Sequence, residues 1–137
     1  VGMFGLAPVL GRVVDAVGRR PAMTLGLVVV ATGALGLALG PTLSTVLPSI
    51  FLVGAGWNIA YLAGTALVAD ATTPHERASA LGALDLGGLV GAAITTVLAP
   101  AVLDVAGLGP LVVAAAVVAL VPAGILFNAG RLAPASP

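Results

Sequence analysis

Asp85 is the residue with the most chemistry to offer. It stands between Leu84 and Leu86 in an apolar run covering 78–103. A carboxylate at the centre of such a run costs about 2.5–3.5 kcal/mol to place in a bilayer. Residues of this kind face a bundle interior or water. Asp85 therefore has two readings: a carrier of charge or protons in transport, or a hydrogen-bonding residue that fixes helix packing. A second group lies in the preceding run. Gly54, Asn58, Tyr61 and Thr65 are spaced by four, three and four residues, which places them on one helical face. The amide, phenol and hydroxyl can line a polar cavity, or can bond adjacent helices at under about 2 kcal/mol each. Trp57 lies beside that stripe and is assigned no role.

Catalytic and metal chemistry have little support. His75-Glu76 lacks the second histidine of a zinc-binding helix. No Ser-x-x-Lys, Gly-x-Ser-x-Gly or phosphate-binding loop occurs. Cysteine is absent, which removes disulfides, thiol nucleophiles and Cys-based metal sites. The expectation is a protein that is not an enzyme, with no cofactor and no metal.

The elements that position Asp85 and Asn58 follow from composition. Apolar residues make up 60% of the 137 and charged residues 7%, with a mean hydropathy of +1.22. Soluble domains run near one half and about one quarter. Five basic and five acidic side chains cannot coat a soluble domain of this size. The net charge of zero offers no basic surface for nucleic acid. What remains is an integral membrane protein with the lipid bilayer as its first partner. The apolar runs are continuous rather than alternating, so the fold class is an all-α helical bundle rather than a barrel.

About 20 apolar residues cross a hydrocarbon core of ~30 Å. On that scale four full spans are expected at 21–39, 46–69, 78–103 and 111–127, preceded by a truncated helix end at 1–10. Turns are expected at Gly40-Pro41-Thr42 and from Asp104 to Pro110. Residues 128–137 read as a tail. Before the third full span, Thr73, Pro74 and Glu76 have the spacing of a capping box with proline at the first helical position. Asp85 then lies ~16 Å along a helix started at Pro74. Arg12, Arg19, Arg20, Arg77 and Arg131 all fall on one side of this arrangement, which makes that side, and the C-terminus, cytoplasmic. Glycines recur at Gly26, Gly33 and Gly40, and form the pairs Gly36/Gly40 and Gly87/Gly91. Small residues at this spacing let helix backbones approach in lipid, and they also permit bending. The chain opens on Val1-Gly2 without a charged leader or cleavage site, so it is not read as a signal peptide and a fragment is expected. Absent lysine with abundant Ala, Gly and Arg suits a bacterial source.

The segment Gly11-Arg-Val-Val-Asp15-Ala-Val-Gly18-Arg19-Arg20 has the spacing G-x-x-x-D-x-x-G-R-R between two apolar runs. Its glycines suit a tight interhelical loop, Asp15 suits a free helix N-terminus, and Arg19 and Arg20 suit lipid phosphates. This pattern resembles the signature loop of the major facilitator superfamily, with Gly11, Asp15, Gly18, Arg19 and Arg20 in the matching positions. Gly2 to Pro8, Gly54-Ala-Gly-Trp57-Asn58, and Asp70 to Asp85 are also similar to segments of one bacterial branch. There is no intramembrane arginine between 49 and 69 and no Gly-Pro pair between 81 and 100. The resemblance is therefore to the end of helix eight through helix twelve of a 12-helix fold.

That resemblance implies a secondary transporter in a cell membrane that moves a small solute by alternating access. It also implies a missing N-terminal half as partner, and an Asp15 that latches its loop to a helix of that half. Proton coupling through Asp85 is one option, and the substrate is not readable. The rival expectation is a small non-transport membrane subunit acting through helix–helix assembly.

Overall fold

The computed structural model describes residues 7–40 and 42–132. Five α-helices follow in chain order: α1 (Ala7–Val17), α2 (Arg19–Gly36), α3 (Leu43–Ala71), α4 (Arg77–Ala106) and α5 (Leu108–Leu132). A 3-10 turn at Leu37–Leu39 extends α2, and no strand occurs among the described residues. The spans Arg19–Leu39, Leu43–Ala71, Arg77–Ala106 and Leu108–Asn128 are each long and apolar enough to cross a membrane. Residues 1–6 of the expected helix end, Pro41 of the expected turn and residues 133–137 of the expected tail lie outside the described residues.

The connections are tighter than expected. The anticipated loop at 11–20 is helical through Val17, and only Gly18 interrupts it, with φ 94°. Gly11 is an interior residue of α1, because one glycine weakens a helix by only about 1 kcal/mol. Gly18 adopts a backbone conformation that side chains disfavour, and Pro21 falls in the first turn of α2, where its missing N–H is not needed. The turn expected from Asp104 to Pro110 likewise contracts to Gly107, with φ 80°. Asp104 ends up inside α4 and Pro110 in the first turn of α5. The expected tail is helical as far as Leu132.

The capping box also departs from expectation. Helix α4 starts at Arg77, not at Pro74. The Thr73 hydroxyl donates to Glu76 Oε2 at 2.7 Å, and the backbone N–H groups of Glu76 and Arg77 donate to the Thr73 carbonyl at 3.1 and 3.0 Å. A hydroxyl-to-carboxylate bond is charge-assisted, so the two side chains satisfy each other instead of the backbone.

Helices α2 and α3 pack antiparallel through small residues. A Cβ at Gly26 would lie 2.6 Å from the Ala60 nitrogen, at Gly33 2.7 Å from the Ser49 carbonyl oxygen, and at Gly56 2.6 Å from the Val30 nitrogen. A Cβ at Gly36 would collide with the Ser49 hydroxyl. These backbones touch with no room for a side chain, which is how helices gain contact energy in lipid. On its other side α2 meets α5, where Ala31 packs with Ala116 and Ala119. Val14 of α1 packs with Ala22, Ile59 and Ala63. Helix α4 stands apart, with no buried residue along its length.

Candidate functional site

The phenol of Tyr61 donates to Asp85 Oδ1 at 2.9 Å. Tyr61 lies ten residues before the end of α3, and Asp85 eight residues after the start of α4. Both therefore sit ~12–15 Å inside their helices. The later start of α4 makes Asp85 about one turn shallower than the sequence suggested. This hydrogen bond ties α4 to α3.

Asn58 is one turn before Tyr61 and is buried, at 7% exposure. Its Oδ1 has no hydrogen-bond partner. An unsatisfied buried acceptor costs about 1–3 kcal/mol and calls for an explanation. Gly56 and Ala60 carry the α2 contact, and Asn58 is two residues from each, ~200° around the helix. Asn58 therefore occupies the face opposite α2, the side on which Tyr61 meets α4. Thr65 is on that face as well, but its hydroxyl donates to the Leu62 carbonyl at 3.0 Å and is spent within α3. Gly54 is half-buried there, and Trp57 is exposed. Tyr61 and Asp85 are thus brought together, Asn58 is a turn away, and Thr65 turns to its own backbone.

The expected signature residues gather at one end of the bundle. Arg19 forms an ion pair with Asp70 and donates to the Ala66 carbonyl at 3.3 Å. The last turns of α3 present free carbonyls and a negative dipole end, which attract a guanidinium. Asp70 was not singled out in the sequence; the available signal was its place at the same membrane side as the basic residues. Arg12 and Arg20 are exposed. Asp15 is exposed on α1, and its carboxylate bonds to no other described residue. The Arg19–Asp70 pair places the α1/α2 break and the α3/α4 loop, with Arg77, at one end. The Gly40 turn is at the opposite end of the α2–α3 pair.

The expected packing glycines divide into two groups. Gly26, Gly33 and Gly36 lie in the α2–α3 contact, whereas a Cβ at Gly40, Gly87 or Gly91 would meet nothing within 4 Å. Gly40 serves the turn instead, with φ 135°.

The family model of the Major Facilitator Superfamily matches residues 1–135. The chain belongs to that superfamily. An uncharacterized MFS-type transporter, YddS of Bacillus subtilis, is 35% identical over 99 residues, which are 68% of this chain and 23% of that protein. The riboflavin transporter RfnT of Brucella anthropi is 32% identical over 85 residues, 62% of this chain and 21% of its own. The MFS-type transporter phiD of a fungal species is 32% identical over 95 residues, 69% of this chain and 14% of its own. The chain thus spans a fifth or so of the curated relatives it matches. No solved structure gives a significant match. Superfamily membership and four apolar helices make this a multi-pass membrane protein in contact with the lipid bilayer. Superfamily transporters are in general not enzymes.

Proposed function

We infer that this superfamily chain forms part of a secondary transporter that moves a small solute by alternating access. The face carrying Asn58, Tyr61 and Asp85 would line the solute path. The observation that carries the reading is the Tyr61–Asp85 hydrogen bond. It holds an intramembrane carboxylate in the contact between α3 and α4, beside a buried amide with a free acceptor. A subunit acting through helix assembly alone gives the Tyr61–Asp85 bond a packing task but leaves the buried Asn58 acceptor without one. In this reading the chain completes its path with an N-terminal half, and the end holding Arg19, Arg20 and Arg77 faces the cytoplasm of a bacterial cell. Asp15, exposed at that end, is free to latch onto a helix of the other half.

The test is aqueous access. Thr65→Cys in the intact protein in membrane vesicles is expected to react with a membrane-impermeant maleimide, at rates that differ between the two faces of the membrane. Val97→Cys, on the apolar exposed side of α4, is the unreactive control. A Thr65→Cys variant that stays as unreactive as Val97→Cys from both faces overturns the transport-path reading.

A further inference from the structure

We propose that the Asn58–Tyr61–Asp85 face binds a solute through a cationic N–H group, an ammonium or amidinium carried on an organic body. The proposal rests on the solute-path reading and adds the chemical class of what enters.

The argument is an inventory of donors and acceptors. Asp85 is acceptor-only when ionised, and one of its oxygens takes the Tyr61 proton. That leaves Oδ2, and the free lone pairs of Tyr61 Oη. Asn58 adds an Oδ1 that is buried and unbonded. Against these acceptors, the donor of Tyr61 is already committed, and that of Thr65 goes to the Leu62 carbonyl, which leaves the Asn58 amide as the remaining side-chain donor. No basic side chain balances Asp85 among the described residues. Arg19 is engaged with Asp70 and Ala66 at the membrane end. Arg12 and Arg20 lie on either side of the α1/α2 break, Arg77 opens α4 and Arg131 ends α5. The site is therefore rich in acceptors and, with Asp85 ionised, carries a negative charge. Within this face an anion would meet that charge with only the Asn58 amide N–H groups to receive it. A neutral solute would leave the charge unpaired. A cation bearing two or more N–H groups supplies both missing elements, pairing with the carboxylate and donating to acceptors such as Asn58 Oδ1.

Labelled benzamidine serves as the probe, with benzamide as its neutral isostere and benzoate as its anionic counterpart. Binding is measured by equilibrium dialysis on the intact protein in nanodiscs, and each compound is also tested for slowing of Thr65→Cys labelling. Benzamidine is expected to bind saturably, at least tenfold tighter than benzamide or benzoate. Asp85→Asn should weaken it tenfold or more, Asp85→Glu should retain it within threefold, and Asn58→Ala should weaken it by a smaller factor. Equal binding of the three compounds to the unmodified protein overturns the proposal even if a variant fails to fold. So does undiminished benzamidine binding by Asp85→Asn. Thr65→Cys that labels from water but is not protected by benzamidine counts against the cation and leaves the path standing. Thr65→Cys that never labels counts against the path itself.

Discussion

Tyr61 and Asp85, 24 residues apart in the chain, meet through a single 2.9 Å hydrogen bond between α3 and α4. Helix α4 has no buried residue, so this bond carries an unusual share of its attachment. Interhelical hydrogen bonds in membranes average about 0.6 kcal/mol and reach about 1.7. A double-mutant cycle of Tyr61→Phe and Asp85→Ala, read by unfolding in mixed micelles, is expected to show coupling near the upper part of that range. Additive effects would mean that the two side chains do not act together.

Transport separates a packing role from a coupling role for Asp85. If the carboxylate carries the coupled proton, Asp85→Asn loses gradient-driven uptake at least tenfold but keeps exchange at saturating solute within about threefold, since its amide can still bond across helices. Uptake that stays at the parental level in a pH-gradient vesicle assay would assign Asp85 to packing.

The α2–α3 contact has no space for a methyl group. Gly26→Ala and Gly56→Ala each force backbone displacement and are expected to cost about 1–3 kcal/mol, visible as lower folded yield and a lower melting temperature. Gly11→Ala is the opposite case. Gly11 lies inside α1 with open space around it, so alanine should be neutral or stabilising by about 0.5–1 kcal/mol. Equal losses at all three positions would contradict the packing described.

Arg19 and Asp70 are both partly exposed, at 39% and 57%, so the pair contributes at most about 1 kcal/mol. Its effect should be positional. Arg19→Asp or Asp70→Arg alone is expected to raise cysteine reactivity at Ala66→Cys, and the charge-reversed double variant should restore it. Failure of the double variant to restore protection would show that the Ala66 carbonyl, not the ion pair, holds Arg19.

Asp15 supplies a prediction for the whole protein. If it latches the cytoplasmic end, Asp15→Asn should slow transport several-fold and raise labelling of Thr65→Cys from the cytoplasmic side, with membrane insertion unchanged. Unaltered labelling from both sides would reduce Asp15 to a surface charge.

Much of this architecture is legible in the sequence because membrane spans announce themselves by length and hydropathy. The four runs, with Asp85 inside the third, needed no tertiary information, although the start of α4, and with it the depth of Asp85, did not follow from the spacing. The breaks were harder. Gly11 and Gly18 look equivalent on paper, yet only Gly18 takes a positive φ, because a helix tolerates one glycine where neighbouring residues continue the hydrogen-bond ladder. Gly36 and Gly87 both head small-residue pairs, but only Gly36 meets a partner, Ser49. Which helix a small face meets depends on tertiary contacts that spacing does not encode. The Asp70 partner of Arg19 was hidden for the same reason: the two are 51 residues apart and meet only because α2 and α3 fold back on each other.

The one-residue joint at Gly107 has a mechanical consequence. Helix α5 is fixed against α2, while α4 has no buried residue over its 30 positions; Asp85 lies 22 positions from the joint, and the far end of α4 is joined to α3 by residues 72–76. At 1.5 Å per residue the lever from Gly107 to Asp85 is about 33 Å, so a swing of about 10° carries the carboxylate roughly 6 Å. That stroke is twice the length of the bond to Tyr61, so a rotation of this size at Gly107, followed by the 72–76 connection at the other end, would separate the two side chains.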